Sequence, residues 1–131
     1  MDRLKLQNLS YLALRIVSGA LLAMHGAQKL FGSLAAQPGP EIGSQLWIGG
    51  LIELVCGILV AVGLFTRLAA FLASGTMAVA YFQFHWKGAM GSGLFPIVNG
   101  GELAVIYCFV FLAICAHGPG MTSLDRLRGK V

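Results

Sequence analysis

Six side chains in this 131-residue chain have the right types to do chemistry together: His25, Lys29, Glu53, Tyr81, His85 and Glu102. An imidazole titrates near neutrality and can pass protons. A carboxylate beside it can accept or return them, and an ammonium can draw in an anion. His25 and Lys29 are four residues apart, so a helix puts them on one face. His25 and Glu53 are the expected catalytic pair. Lys29, Tyr81, His85 and Glu102 are the expected substrate-binding groups. The set has no H-x-x-x-H or E-x-x-H spacing, so no metal site is expected. Cys56, Cys108 and Cys115 are widely spaced without a C-x-x-C, which supports neither a redox pair nor a zinc knuckle.

These groups sit in unusual company. Apolar residues make up 57% of the chain and charged residues 11%. A soluble domain carries about a quarter of its residues charged, so the composition predicts an integral membrane protein. Ionisable groups within membrane spans are expensive and normally face a protein interior or a wet cavity. The basic residues lie at chain ends and segment junctions, as membrane topology requires. They form no aromatic-interleaved run, so nucleic acid is not an expected partner. Arg3 and Lys5 followed by an apolar stretch and Ser33-Leu34-Ala35 only imitate a signal peptide. A signal h-region is roughly 7–15 apolar residues, whereas this stretch is longer and contains Arg15, His25 and Lys29.

The elements that must position the six residues follow from apolar length and from breakers. The expected fold is all-α: one domain over 1–131, a four-helix transmembrane bundle with helices about 11–31, 46–65, 68–86 and 101–117. The Gly32 to Gln45 segment, with Pro38-Gly39-Pro40, and the Gly-rich Lys87 to Gly101 segment read as loops. Four spans put both termini on one side. Arg3, Lys5, Arg67, Arg126, Arg128 and Lys130 then share a face, which the positive-inside rule makes cytoplasmic. The expected location is a bacterial inner membrane, multi-pass.

At ~1.5 Å per residue, His25, Lys29, Glu53, Tyr81, His85 and Glu102 all fall roughly 20–27 Å above the cytoplasmic boundary. Arg15 lies only about 6 Å in, close enough to snorkel outward as an anchor or to meet the tail around Asp125. Gly50, Glu53 and Gly57 share one face of helix 2, and small residues let membrane helices approach closely. Glu53 therefore faces inward, paired with His25 or Lys29, or else protonated and hydrogen-bonded. The competing view is that these groups merely glue helices together. Interhelical polar contacts contribute only about 0.6 kcal/mol each, little against the cost of burying six such groups.

Four stretches carry a resemblance. Residues 14–32 (L-R-I-V-S-G-A-L-L-A-M-H-G-A-Q-K-L-F-G), 49–70 (G-G-L-I-E-L-V-C-G-I-L-V-A-V-G-L-F-T-R-L-A-A), 99–107 (N-G-G-E-L-A-V-I-Y) and 118–127 (G-P-G-M-T-S-L-D-R-L) resemble the DoxX family of small bacterial membrane proteins. The resemblance implies a four-helix membrane bundle and adds weight to Gly26, Lys29, Glu53, Gly63, Arg67, Glu102 and Asp125. Related DoxD-type subunits belong to a thiosulfate:quinone oxidoreductase. The function expected here is a quinone-linked oxidoreductase subunit or accessory; the cofactor is left unassigned, a quinone being the candidate that an apolar cleft beside His25 and Glu53 would hold. The alternative is a non-enzymatic assembly factor or scaffold for a larger membrane complex. Expected partners are the lipid bilayer and either redox-complex subunits or further copies of the chain.

Overall fold

The computed structural model describes residues 2–32 and 38–129. The loop residues Ser33, Leu34 and Ala35, and Lys130 of the basic tail, lie outside the described residues. All regular structure among the described residues is helical. Helix α1 spans Arg3–Phe31 and starts well before the expected Tyr11. It ends where Gly32 turns left-handed (φ 64°) and its N–H returns to the Gln28 carbonyl. Helix α2 spans Gln45–Val62. Ser44 caps it by accepting the Trp47 N–H at 3.2 Å.

Helix α3 spans Thr66–Ala80 and passes directly into a π-helical stretch, Tyr81–Trp86. Two short turns follow, Gly91–Leu94 and Pro96–Asn99. Helix α4 spans Glu102–His117. A last turn, Leu124–Leu127, folds back beneath the helices. Helices α1 and α2 are long and apolar enough to cross a membrane, and α4 is a shorter apolar helix.

Packing is by neighbours: α1 on α2, α2 on α3, α3 on α4, with α1 and α4 meeting only sparsely. Glycine makes the first of these contacts. An added Cβ on Gly19 would sit 2.6 Å from the Gly57 carbonyl oxygen, and one on Gly57 would sit 2.5 Å from the Ala23 nitrogen. One turn-pair higher, Gly26 and Gly50 repeat the arrangement, with Gly50 facing the Lys29 side chain. The α3–α4 contact is built on Ala69, Ala70, Ala73 and Met77 against Tyr107, Phe111 and Ile114.

The surface is inverted relative to a soluble protein. Leu14, Val17, Leu21, Ile48, Val55, Ile58, Leu68, Phe71, Ile106 and Phe109 are exposed, while Arg15 and Glu53 are each only 2% exposed. Apolar atoms outside and charges inside suit a lipid surrounding.

Of the two expectations for Arg15, the structure departs from the anchor and agrees with the contact to the tail. It does not reach outward. Its guanidinium bonds the Pro119 carbonyl and, at 2.7 Å, the Thr122 carbonyl, and reaches Ala61 at 3.5 Å. The carbonyls of the folded-back tail are close enough to hold its two terminal nitrogens, while Nε is buried without a partner among the described residues. Arg67 does similar work for α4, donating to the Cys115 and Ala116 carbonyls at 2.7 and 2.8 Å. Those are orphan acceptors of a helix C-terminus, where a cation is also favoured by the dipole.

Candidate functional site

The site begins with the glycine stripe. Because Gly26 and Gly50 bring the α1 and α2 backbones together, Lys29 and Glu53 meet across the contact. Lys29 Nζ lies 2.6 Å from Glu53 Oε1. Of the pairings open to Glu53, the structure takes the Lys29 one; no hydrogen bond joins His25 to Glu53 among the described residues. The Lys29 side chain is 32% exposed and that of Glu53 3%. The second carboxylate oxygen, Oε2, is buried without a partner.

Two cavities meet at this pair. The first, about 410 Å³, is a groove between α2 and α3. Its walls are Leu46, Ile48, Ile52, Phe71, Leu72, Val79 and Phe84, and its polar end is Lys29 and Glu53. The second, about 290 Å³, lies between the α1–α2 pair and the α3–α4 pair. His25, Lys29, Glu53, Met77, His85 and Tyr107 line it.

Of the six expected site residues, the structure gathers four, His25, Lys29, Glu53 and His85, around one chamber. Tyr81 is elsewhere. Its hydroxyl donates to the Leu94 carbonyl at 3.3 Å and accepts from Asn99, so it fastens the loop after the π stretch. Glu102 is exposed in the first turn of α4, where a carboxylate suits the dipole.

The π stretch explains the split between Tyr81 and His85. An α-helix would carry Met77, Tyr81 and His85 along one drifting stripe. The wider i→i+5 turn, seen in the Lys87 N–H bond to the Phe82 carbonyl at 3.2 Å, winds less per residue and swings His85 back to the Met77 side. Tyr107 is the residue sequence reasoning missed. It is 7% exposed and meets the His25 ring edge-on, with centroids 6.2 Å apart. A tyrosine within an apolar run gave no signal of its own; its three-residue offset from Ala104, both buried on α4, was the available clue.

The DoxX family model matches residues 10–86. The chain belongs to the DoxX family. An uncharacterized protein of Haemophilus influenzae is 42% identical over 116 residues, covering 86% of each chain. The inner membrane protein YqjF of Escherichia coli is 30% identical over 130 residues, covering 96% of this chain and 97% of YqjF. No solved structure matches. With two apolar helices of spanning length, this DoxX chain is an integral protein of the bacterial inner membrane. The matched residues take in His25, Lys29, Glu53, Tyr81 and His85.

Proposed function

We propose that this DoxX protein is a four-helix transmembrane bundle whose α2–α3 groove takes a lipid-soluble quinone, and that it serves as a subunit or accessory of a quinone-linked oxidoreductase. The observation that carries the reading is the groove: mostly apolar in its lining, open on an exposed apolar flank, and ending on an ion pair whose carboxylate is buried. A quinone has that same division, an apolar body and two carbonyl oxygens. In this reading Lys29 donates to one carbonyl oxygen, while Glu53 and His25 exchange the protons that accompany reduction. The electrons come from a thiol- or thiosulfate-oxidising partner. Both termini and Arg67 face the cytoplasm, and the 88–101 loop faces outward.

A second reading, an assembly factor for a larger membrane complex, is favoured by that loop. Met90, Leu94, Phe95, Ile97 and Val98 are exposed there, and residues 88–101 contain no charged side chain. Purification in mild detergent separates the two. The quinone reading expects co-extracted quinone, and quinone reduction by thiosulfate or thiols when the partner is present. Both should fall with Glu53→Gln and His25→Ala. Wild-type protein with neither bound quinone nor turnover would end that reading. Variants that fold yet lose partner pull-down would favour the scaffold.

A further inference from the structure

Glu53 stands at the junction of the two cavities, and they differ in kind. The groove is walled mostly by aliphatic and aromatic side chains, with Gln45 and Thr76 among them, and holds neither imidazole nor phenol. The chamber has His25, His85 and Tyr107 in its lining, and it ends at Gly100, an exposed loop residue. At about 290 Å³ it far exceeds the roughly 10–15 Å³ that one water needs, and it offers the several polar partners a water requires. Glu53 Oε1 is bound to Lys29, which leaves Oε2 as the atom able to take a proton without breaking the pair.

We propose that the chamber is the proton path of the site. Protons enter at the loop end beside His85, pass along water, His25 and Tyr107, and arrive on Glu53 Oε2, which presents them to the groove. This rests on the reading of the groove as the ligand's seat. It adds that ligand and proton come by separate routes, one from lipid and one from water. The transfer is simple in balance. A proton from bulk water forms an O–H bond at Oε2, Lys29 keeps its own proton, and the pair changes from neutral to net positive.

The titratable groups around Glu53 are Lys29 and His25 on α1, His85 on the π stretch, Tyr107 on α4, and Cys56 one turn along α2. Tyr107 and Glu53 line the same chamber. An imidazole relays a proton by accepting at one ring nitrogen while donating from the other. Two imidazoles in one small chamber with a buried carboxylate at its end make a relay of that type.

The test uses the full chain, oriented in proteoliposomes, and dicyclohexylcarbodiimide. This lipid-soluble reagent modifies only the protonated form of a carboxyl group. Adduct at Glu53 is read by mass spectrometry, with Glu53→Gln as the blank. The expected result is labelling that rises as pH falls on the loop side and ignores pH on the side of the termini. After a pH jump on the loop side, labelling should develop at least tenfold more slowly in His85→Leu and in Ala104→Leu, which narrows the chamber. Thermal melting identifies variants that still fold. Labelling that follows the other side, that is unchanged in both folded variants, or that is absent from Glu53 at every pH overturns the proposal. None of these outcomes needs bound quinone. A chain with neither bound quinone nor quinone turnover that still labels from the loop side would sink the quinone reading and leave the proton path standing.

Discussion

At the scale of single residues, the decisive feature is a carboxylate satisfied on one oxygen only. Removing Lys29 would leave Glu53 buried with no cation. Breaking a fully buried pair costs about 3–5 kcal/mol. Lys29 is one-third exposed, so the expected loss for Lys29→Met is smaller, about 2 kcal/mol. Adding Glu53→Leu should restore most of it, because an apolar pair needs no compensation. Melting temperatures of the single and double variants in detergent decide this; a double variant no better than the single one would refute it. Much of this residue-level picture was legible in the sequence. Glu53 shares a face with two glycines, and His25 and Lys29 share another. For Arg15 the sequence left anchor and tail contact both open, because its tail partners are backbone carbonyls more than a hundred residues away. A carbonyl carries no residue type, so nothing in the letters marks it as an acceptor.

At the scale of elements, the α1–α2 contact is set by glycines that leave no room for a side chain. Gly57→Leu must push α2 away from Ala23 and Gly19 of α1. We expect a loss of about 1–3 kcal/mol from overpacking and, with the pair drawn apart, weaker retention of any groove ligand. Thermal melting and ligand content of the purified variant check both.

The start of α3 depends on the tail. Phe65 precedes the helix in a left-handed conformation (φ 48°) and offers no capping side chain. Asp125 supplies the cap from afar, accepting the Phe65 and Thr66 N–H groups at 2.8 and 2.9 Å and the Thr66 hydroxyl at 2.9 Å. Burial pushes the Asp125 carboxyl up, but the Thr66 and Phe65 bonds and the Arg128 charge outweigh it and hold it below the usual value. A lowered folded pKa stabilises above the unfolded one, near 3.9, and that contribution fades as pH falls through the folded pKa. Asp125→Asn should therefore cost about 1 kcal/mol at neutral pH. It should also flatten the acid limb of a stability-against-pH curve; an unchanged limb would refute the assignment. The sequence placed the junction at Thr66-Arg67 and the end of helix 3 at Trp86, but neither the distant cap nor the π winding has a local signature. Both are imposed by packing.

At the scale of the whole molecule, the inverted surface explains why composition alone identified the class. With lipid as solvent, the outward faces are free to be uniformly apolar, and polar residues survive only where something inside holds them. Helix rotation is what composition and length leave open, and it decided which of six equally deep residues share the chamber. The orientation proposed for the chain is open to direct labelling. Ser92 is exposed in the 88–101 loop. In a background lacking the native cysteines, Ser92→Cys should react with a membrane-impermeant maleimide added to intact cells. A cysteine at Arg128 should react only after the cells are broken. The reverse pattern would invert the molecule and put the chamber mouth in the cytoplasm.

The buried Arg15 also has a meaning in time. Its helix leaves the ribosome early, while the carbonyls of Pro119 and Thr122 that hold it are among the later residues made. Until they arrive, α1 carries a cation met only by the Ala61 carbonyl at 3.5 Å, and α3 lacks the cap that Asp125 brings. Synthesis order thus makes the tail a latch, closed only once Pro119, Thr122 and Asp125 have been made.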